Sequence, residues 1–131
     1  MNKLFSIIIP HKYDTGKTHR KIWFNAILSM CWQKRKVVHD NLTIAIDNLL
    51  KTIPPIPVTN DMKLRVSFGL WSGKSTGNLD IDGMAYIGKV AIDCLARKMA
   101  INDSIHTIVE VRYVYLGKQI DESVVMQVES V

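Results

Sequence analysis

Cysteine is scarce in this chain of 131 residues, and long apolar runs are missing altogether. Its two cysteines, Cys31 and Cys94, lack the close spacing of a zinc site, so both read as reduced, core or near-core residues of a cytosolic protein. No stretch approaches the roughly 18 apolar residues of a membrane-spanning helix. Phe5 to Pro10 is too short for a secretory leader, and no small-residue cleavage site follows it. The histidines His11, His19, His39 and His106 form no His-x-x-x-His pair, which leaves a catalytic zinc without its usual ligands. No Ser-His or Cys-His constellation is legible, which disfavours a covalent enzyme intermediate. Proline is rare outside one cluster, Pro54, Pro55 and Pro57, which reads as a stiff connector. No repeat or low-complexity segment marks a domain boundary.

What is present is a folding chain with an uneven charge. Apolar residues make up 47% of it, too many for a disordered segment. The length suits one domain with one core, residues 1–131. The net charge is +5, and the positive excess is N-terminal. Residues 1–40 hold Lys3, Lys12, Lys17, Arg20, Lys21, Lys34, Arg35 and Lys36 against only Asp14 and Asp40. A basic half of this kind suits a phosphate backbone, although a solvated surface has the same composition.

Periodicity supplies a coarse architecture. Leu4–Ile9 is an apolar, β-branched strand stopped by Pro10. Residues 11–21 are polar and read as a loop; the spacing over 22–32 does not separate helix from strand. Residues 34–52 carry apolar side chains at helical spacing. Residues 62–70 alternate through Leu64, Val66, Phe68 and Leu70 as a half-buried strand. A Gly/Ser/Thr loop over 72–78 leads to a helix from about Gly83 to Met99, with Ile87, Val90, Ala91, Cys94 and Leu95 inward. A strand over 105–116, a turn over 117–122 and a strand over 123–128 read as a hairpin. The expected class is α/β or α+β: one small mixed sheet with helices packed on it. Trp23, Trp32, Tyr113 and Tyr115 read as core aromatics.

The chemistry gathers in residues 80–103. Asp80 and Asp82 stand two apart, so on an extended chain both point to one side. Asp82 is placed to cap the helix that follows. On an unbroken α-helix Lys89 and Asp93 return to within roughly 20° of the Asp82 direction. Asp103 follows the helix. Acids around one helix end suit a hard cation such as Mg²⁺, which takes carboxylate oxygens and keeps several waters. Each residue also has a plain role: Asp80 and Asp82 as caps, Lys89 and Asp93 as a surface i, i+4 pair, Asp103 as a turn residue. The nearby Gly69-Leu70-Trp71-Ser72-Gly73-Lys74-Ser75 ends like a phosphate-binding loop, but three residues separate its glycines where four are needed, and no helix follows at once. Lys74 fits better as a contact to a DNA phosphate.

Residues 78–105 resemble the RusA-type Holliday junction resolvases, small endodeoxyribonucleases of bacteria and their phages. Asp80 and Asp82 match the family's paired acids, Lys89 its helix lysine, Asp93 its helix aspartate and Asp103 its loop aspartate. Ile7-Ile8-Ile9-Pro10 looks like the family's opening strand. Gly83 stands where the family usually has Asn, and Lys74–Leu79 carries one Lys where many relatives carry several basic residues.

The resemblance implies a cytoplasmic, homodimeric nuclease, in a bacterial cell or phage-infected host, that resolves four-way DNA junctions with Mg²⁺ or Mn²⁺. Asp80, Asp82 and Asp103 would hold the metal, with Asp93 either ligating or orienting Lys89. Lys89 would neutralise charge on the scissile phosphate or position the attacking water. Lys17, Arg20, Lys21, Lys34, Arg35, Lys36 and Lys74 are the expected DNA contacts. Two other readings fit the same residues: a non-catalytic basic DNA-binding protein, and a flap or branch nuclease.

Overall fold

Alternating apolar residues build the sheet, and their register shows why one face is buried. The computed structural model describes residues 2–14, 19–102 and 104–131. A four-stranded sheet has the order β1-β6-β4-β5, from β1 (Asn2–Ile9), β4 (Leu64–Ser72), β5 (Ile108–Lys118) and β6 (Ser123–Ser130). Ile7, Met126 and Phe68 lie in one row across three strands, as do Ile9, Val124 and Leu70. These rows form the core, where Phe68, Met126, Val124 and Ile9 are almost wholly removed from water. The opposite face carries the row Ser6, Gln127, Ser67 and Arg112 and is more open.

The core row is covered by α2 (Trp32–Lys51) and α3 (Ala85–Met99). Val38, Leu42, Ile46 and Leu50 recur every fourth residue along α2 and are buried. All five residues expected to face inward on α3 do so. The two helices run the same way: Cys94 meets the Thr43 carbonyl, Arg97 bridges to Asp47 at 3.3 Å, and Lys98 reaches the Ile53 carbonyl at 2.8 Å. Their N-termini therefore lie at one end of the molecule. Among the described residues no helix is long and apolar enough to cross a membrane.

Several expectations are corrected. Residues 11–21 are not simply a loop: β2 (Lys12–Asp14) and β3 (His19–Lys21) pair as a small antiparallel hairpin, extended by Ile22 N–H donating to the His11 carbonyl at 2.7 Å. Residues 22–32 hold a short helix, α1 (Phe24–Leu28), and the start of α2. The last two strands do not form a hairpin. β5 pairs in parallel with β4, while β6 pairs antiparallel with β4 and β1. The connection over 119–122 therefore steps across the end of β4, where Gln119 N–H donates to the Ser72 carbonyl at 2.9 Å. A Cβ on Gly73 would lie 2.8 Å from the Glu122 nitrogen, so only glycine lets the two segments cross so closely. Local alternation describes a strand but not its partner, so alternation on both sides of a turn suggests a hairpin that the sheet does not contain. Trp32 is 65% exposed and Tyr115 47%, and Cys31 is also exposed, so these three leave the core list.

Candidate active site and nucleic-acid interface

The chain leaves the carboxyl end of β4, runs through the loop over 73–80, and turns into a one-turn 3₁₀ helix, Ile81–Met84, before α3 begins at Ala85. That short turn alters the expected geometry. Asp80, not Asp82, occupies the N-cap position of the turn, and neither the turn nor α3 has a side-chain cap. A 3₁₀ turn advances about 20° more per residue than an α-helix, which rotates Asp82 off the stripe shared by Lys89 and Asp93.

Asp80 and Asp82 are brought together. Both are exposed, and both line a hollow of about 260 Å³ whose other walls are Trp23, Phe24, Asn25, Gly83 and Ala85. The buried Trp23 indole donates from Nε1 to the Asp80 carbonyl at 2.8 Å, and Gly83 N–H donates to the same oxygen at 3.1 Å. Lys89 and Asp93 lie apart from this hollow. They form an ion pair of 2.9 Å on the surface of α3. Asp93 sits about 12 Å along the helix axis from Ala85, beyond the reach of an ion held at Asp80 and Asp82. Asp103 and Lys17 lie outside the described residues. Among the described residues no group of three His, Cys, Asp or Glu side chains is disposed to hold a metal.

Arg20 and Lys21 share a hollow with one of the acids, Asp80. They line a hollow of about 470 Å³ that shares Trp23, Asn25 and Asp80 with the acidic one. Lys34, Arg35 and Lys36 are all exposed in the first turns of α2, which holds no acid in its first turn. Positive side chains there are unfavourable for the helix dipole, and with the N–H groups of the turn they make a strongly positive end. Arg35 acts on the Tyr86 hydroxyl of α3, whose pKa is pushed up by burial despite it, so this end faces the start of α3. Lys34 sits 5.8 Å from the Tyr13 ring centroid, and Lys36 pairs with Asp40 at 2.8 Å. A wider hollow of about 720 Å³ between the hairpin and α2 is mostly apolar and, among the described residues, is lined by no acid.

A second cluster was invisible in the sequence. Glu122, with its side chain 7% exposed, accepts from His11 Nε2 at 2.8 Å and pairs with Lys21 at 2.9 Å. Burial alone would raise its pKa, but hydrogen bonds from Thr76, Lys21 and His11 outweigh that and hold the carboxyl below its usual range. Burial pushes the His11 imidazole down, only partly opposed by Glu122. The arrangement is a neutral imidazole and an ammonium donating to one carboxylate. Lys21 also donates to the Thr76 carbonyl at 3.1 Å, and Gly73 N–H donates to Thr76 Oγ1 at 2.7 Å. One carboxylate thus ties the hairpin, the loop over 73–80 and the turn over 119–122 together. His11 and Glu122 are 111 positions apart, so no local motif could have joined them.

A scan against models of known protein families finds no match, and no curated protein matches the chain.

Proposed function

We propose that the chain is a metal-dependent, structure-selective endodeoxyribonuclease that hydrolyses phosphodiester bonds in branched DNA, four-way junctions foremost, and that it works as a homodimer. The observation that carries this reading is the shared wall at Asp80: an open acidic hollow on one side of it, and a hollow lined by Arg20 and Lys21 on the other. A nuclease needs both at one place, carboxylates for a cation and cations for the phosphates.

Two exposed carboxylates fit Mg²⁺ or Mn²⁺, because Mg²⁺ is commonly held by one or two carboxylates together with substrate phosphates. Asp80 and Asp82 would hold it. Bound there, the ion would supply Lewis acidity and a water of lowered pKa. Trp23 fixes the Asp80 backbone and shields one side of the hollow. Arg20 holds the phosphate backbone next to the acids, and Lys34, Arg35 and Lys36 draw the DNA toward the same end. Lys89 has to leave Asp93 to reach a phosphate near Asp82. Symmetric cutting of a four-way junction needs two such sites related by a two-fold axis, which a homodimer provides.

The Lys89–Asp93 pair gives a second reading its one support: a non-catalytic DNA-binding protein in which these residues only decorate the helix. Incubating the protein with a four-way junction, a flap, linear duplex and single-stranded DNA, with Mg²⁺ and with EDTA, decides between them. Mg²⁺-dependent cutting that favours the junction supports the proposal. Binding that survives EDTA and leaves every substrate intact overturns it, and a preference for the flap moves the activity to a flap nuclease.

A further inference from the structure

The loop over 73–80 has a second side. Across the Asn78–Leu79 ridge from Arg20 and Lys21 lies another hollow, of about 530 Å³, lined by Lys74, Lys118, Ser72 and Tyr115 and, among the described residues, by no acid. Asn78 and Leu79 line both hollows. Lys118 ends β5 and is paired in register with Ser72, the last residue of β4. Tyr115 is a half-exposed ring whose hydroxyl is held by Ser72 Oγ at 2.8 Å, and Ser72 Oγ in turn donates to the Gly117 carbonyl at 3.2 Å. Lys74 and Lys118 are exposed. The acidic pair therefore follows a ridge with a separate cationic hollow on each flank.

Resting on the nuclease reading above, we propose that the two hollows take the phosphate backbones of two strands that diverge at a branch. The strand to be cut passes by Arg20 and Asp80. The departing strand passes by Lys74 and Lys118, with Tyr115 offering its ring to a base that has lost its stacking partner. Linear duplex keeps both backbones on one path and engages only the first hollow. The ridge then separates strands that are already parted, and the second hollow is a specificity site for branched DNA. The physical basis is plain: point charges on flexible stems suit a backbone of variable path, and an aromatic ring accepts any base. The Glu122 carboxylate, which holds both Lys21 and Thr76, fixes the spacing of the two flanks.

The test compares wild type with the double variant Lys74→Ala/Lys118→Ala and with Tyr115→Ala, using fluorescence anisotropy in Ca²⁺ to limit cutting. The probes are a four-way junction, a splayed duplex and a linear duplex of equal length, across a salt series. For the double variant, affinity for the two branched probes should fall about tenfold or more. Its log–log salt slope on them should drop by nearly two, one for each lost phosphate contact. Linear-duplex affinity should stay within about twofold. Tyr115→Ala should weaken the branched probes alone, with little change of slope. Equal losses on linear and branched DNA, or no loss on either, overturn this proposal while leaving the nuclease reading intact. A wild-type protein that binds none of the probes overturns the nuclease reading and this inference with it. Thermal melting of each variant within a few degrees of wild type excludes misfolding as the cause.

Discussion

The Trp23 indole lies against Gly83 so closely that a Cβ at position 83 would fall 2.0 Å from the ring. The same ring donates to the Asp80 carbonyl at 2.8 Å. A residue from the segment before α1 thus sets the backbone between the two acids, and it can do so only because position 83 has no side chain.

Replacing Gly83 by Ala or Asn should push the indole out of its seat. Overpacking of this kind costs about 1–3 kcal/mol. Chemical denaturation should report that loss through a lower midpoint, with a near-constant m-value. The double variant Trp23→Phe/Gly83→Asn should recover less than wild type, since the hydrogen bond to Asp80 is lost. A Gly83→Asn protein as stable as wild type would show that the indole moves freely.

Asp82→Asn removes one carboxylate charge from the hollow and leaves a side chain of nearly the same shape. Mg²⁺-dependent cutting should fall by orders of magnitude, with melting temperature and junction binding close to wild type. Near wild-type cutting by this variant places the metal elsewhere.

Lys89→Ala separates surface pairing from chemistry. Loss of an exposed i, i+4 pair with Asp93 alone costs a few tenths of a kcal/mol and leaves single-turnover cutting unchanged. Loss of a donor that acts on the developing charge of the phosphate costs about 3 kcal/mol, or 10²-fold in rate. Single-turnover cleavage at saturating protein is the measurement. We expect the large effect, with only partial rescue by Lys89→Arg because a guanidinium is broader than an ammonium.

Acid should loosen the Glu122 cluster. Both His11 and Glu122 have pKa values lower in the fold than in the free chain. The unfolded chain therefore binds protons more readily, and stability is lost as pH falls. The His11 share is complete above about pH 6.5 and fades below it, and the Glu122 share follows below about pH 4.5. Melting temperature against pH should begin to decline near the first value, and Glu122→Gln should remove the part of the decline that lies below about pH 4.5 while leaving the His11 part, at a lower starting stability. Breaking a buried charge pair costs about 3–5 kcal/mol. A pH-independent melting temperature between about 7 and about 3 would show that neither group is coupled to folding.

Elements with strong local periodicity were legible from the residues alone. The every-fourth pattern from Val38 to Leu50 marks α2, and the alternation from Leu64 to Leu70 marks β4. What was hidden depends on distant partners. The turn over 117–122 looks like a hairpin because the residues on either side alternate, but β4 lies between the two strands in the sheet. Asp80 and Asp82 were visible as a pair, whereas the 3₁₀ turn that rotates Asp82 follows from Trp23 and Gly83, some sixty positions apart. His11, Lys21, Thr76 and Glu122 are ordinary residues until the fold assembles them.

The order of the strands also governs how the sheet can be made. Asn2 of β1 lies opposite Ser130 of β6, and among the described residues β6 alone joins β1 to the rest of the sheet. During synthesis β1 therefore has no strand to pair with until β6 has been made. Until then its apolar Ile7-Ile8-Ile9 run is an unprotected edge, open to association with other chains. Such long-range pairing is slow to find, so folding is expected to be limited by the arrival of β6 between β1 and β4, after the helices have formed.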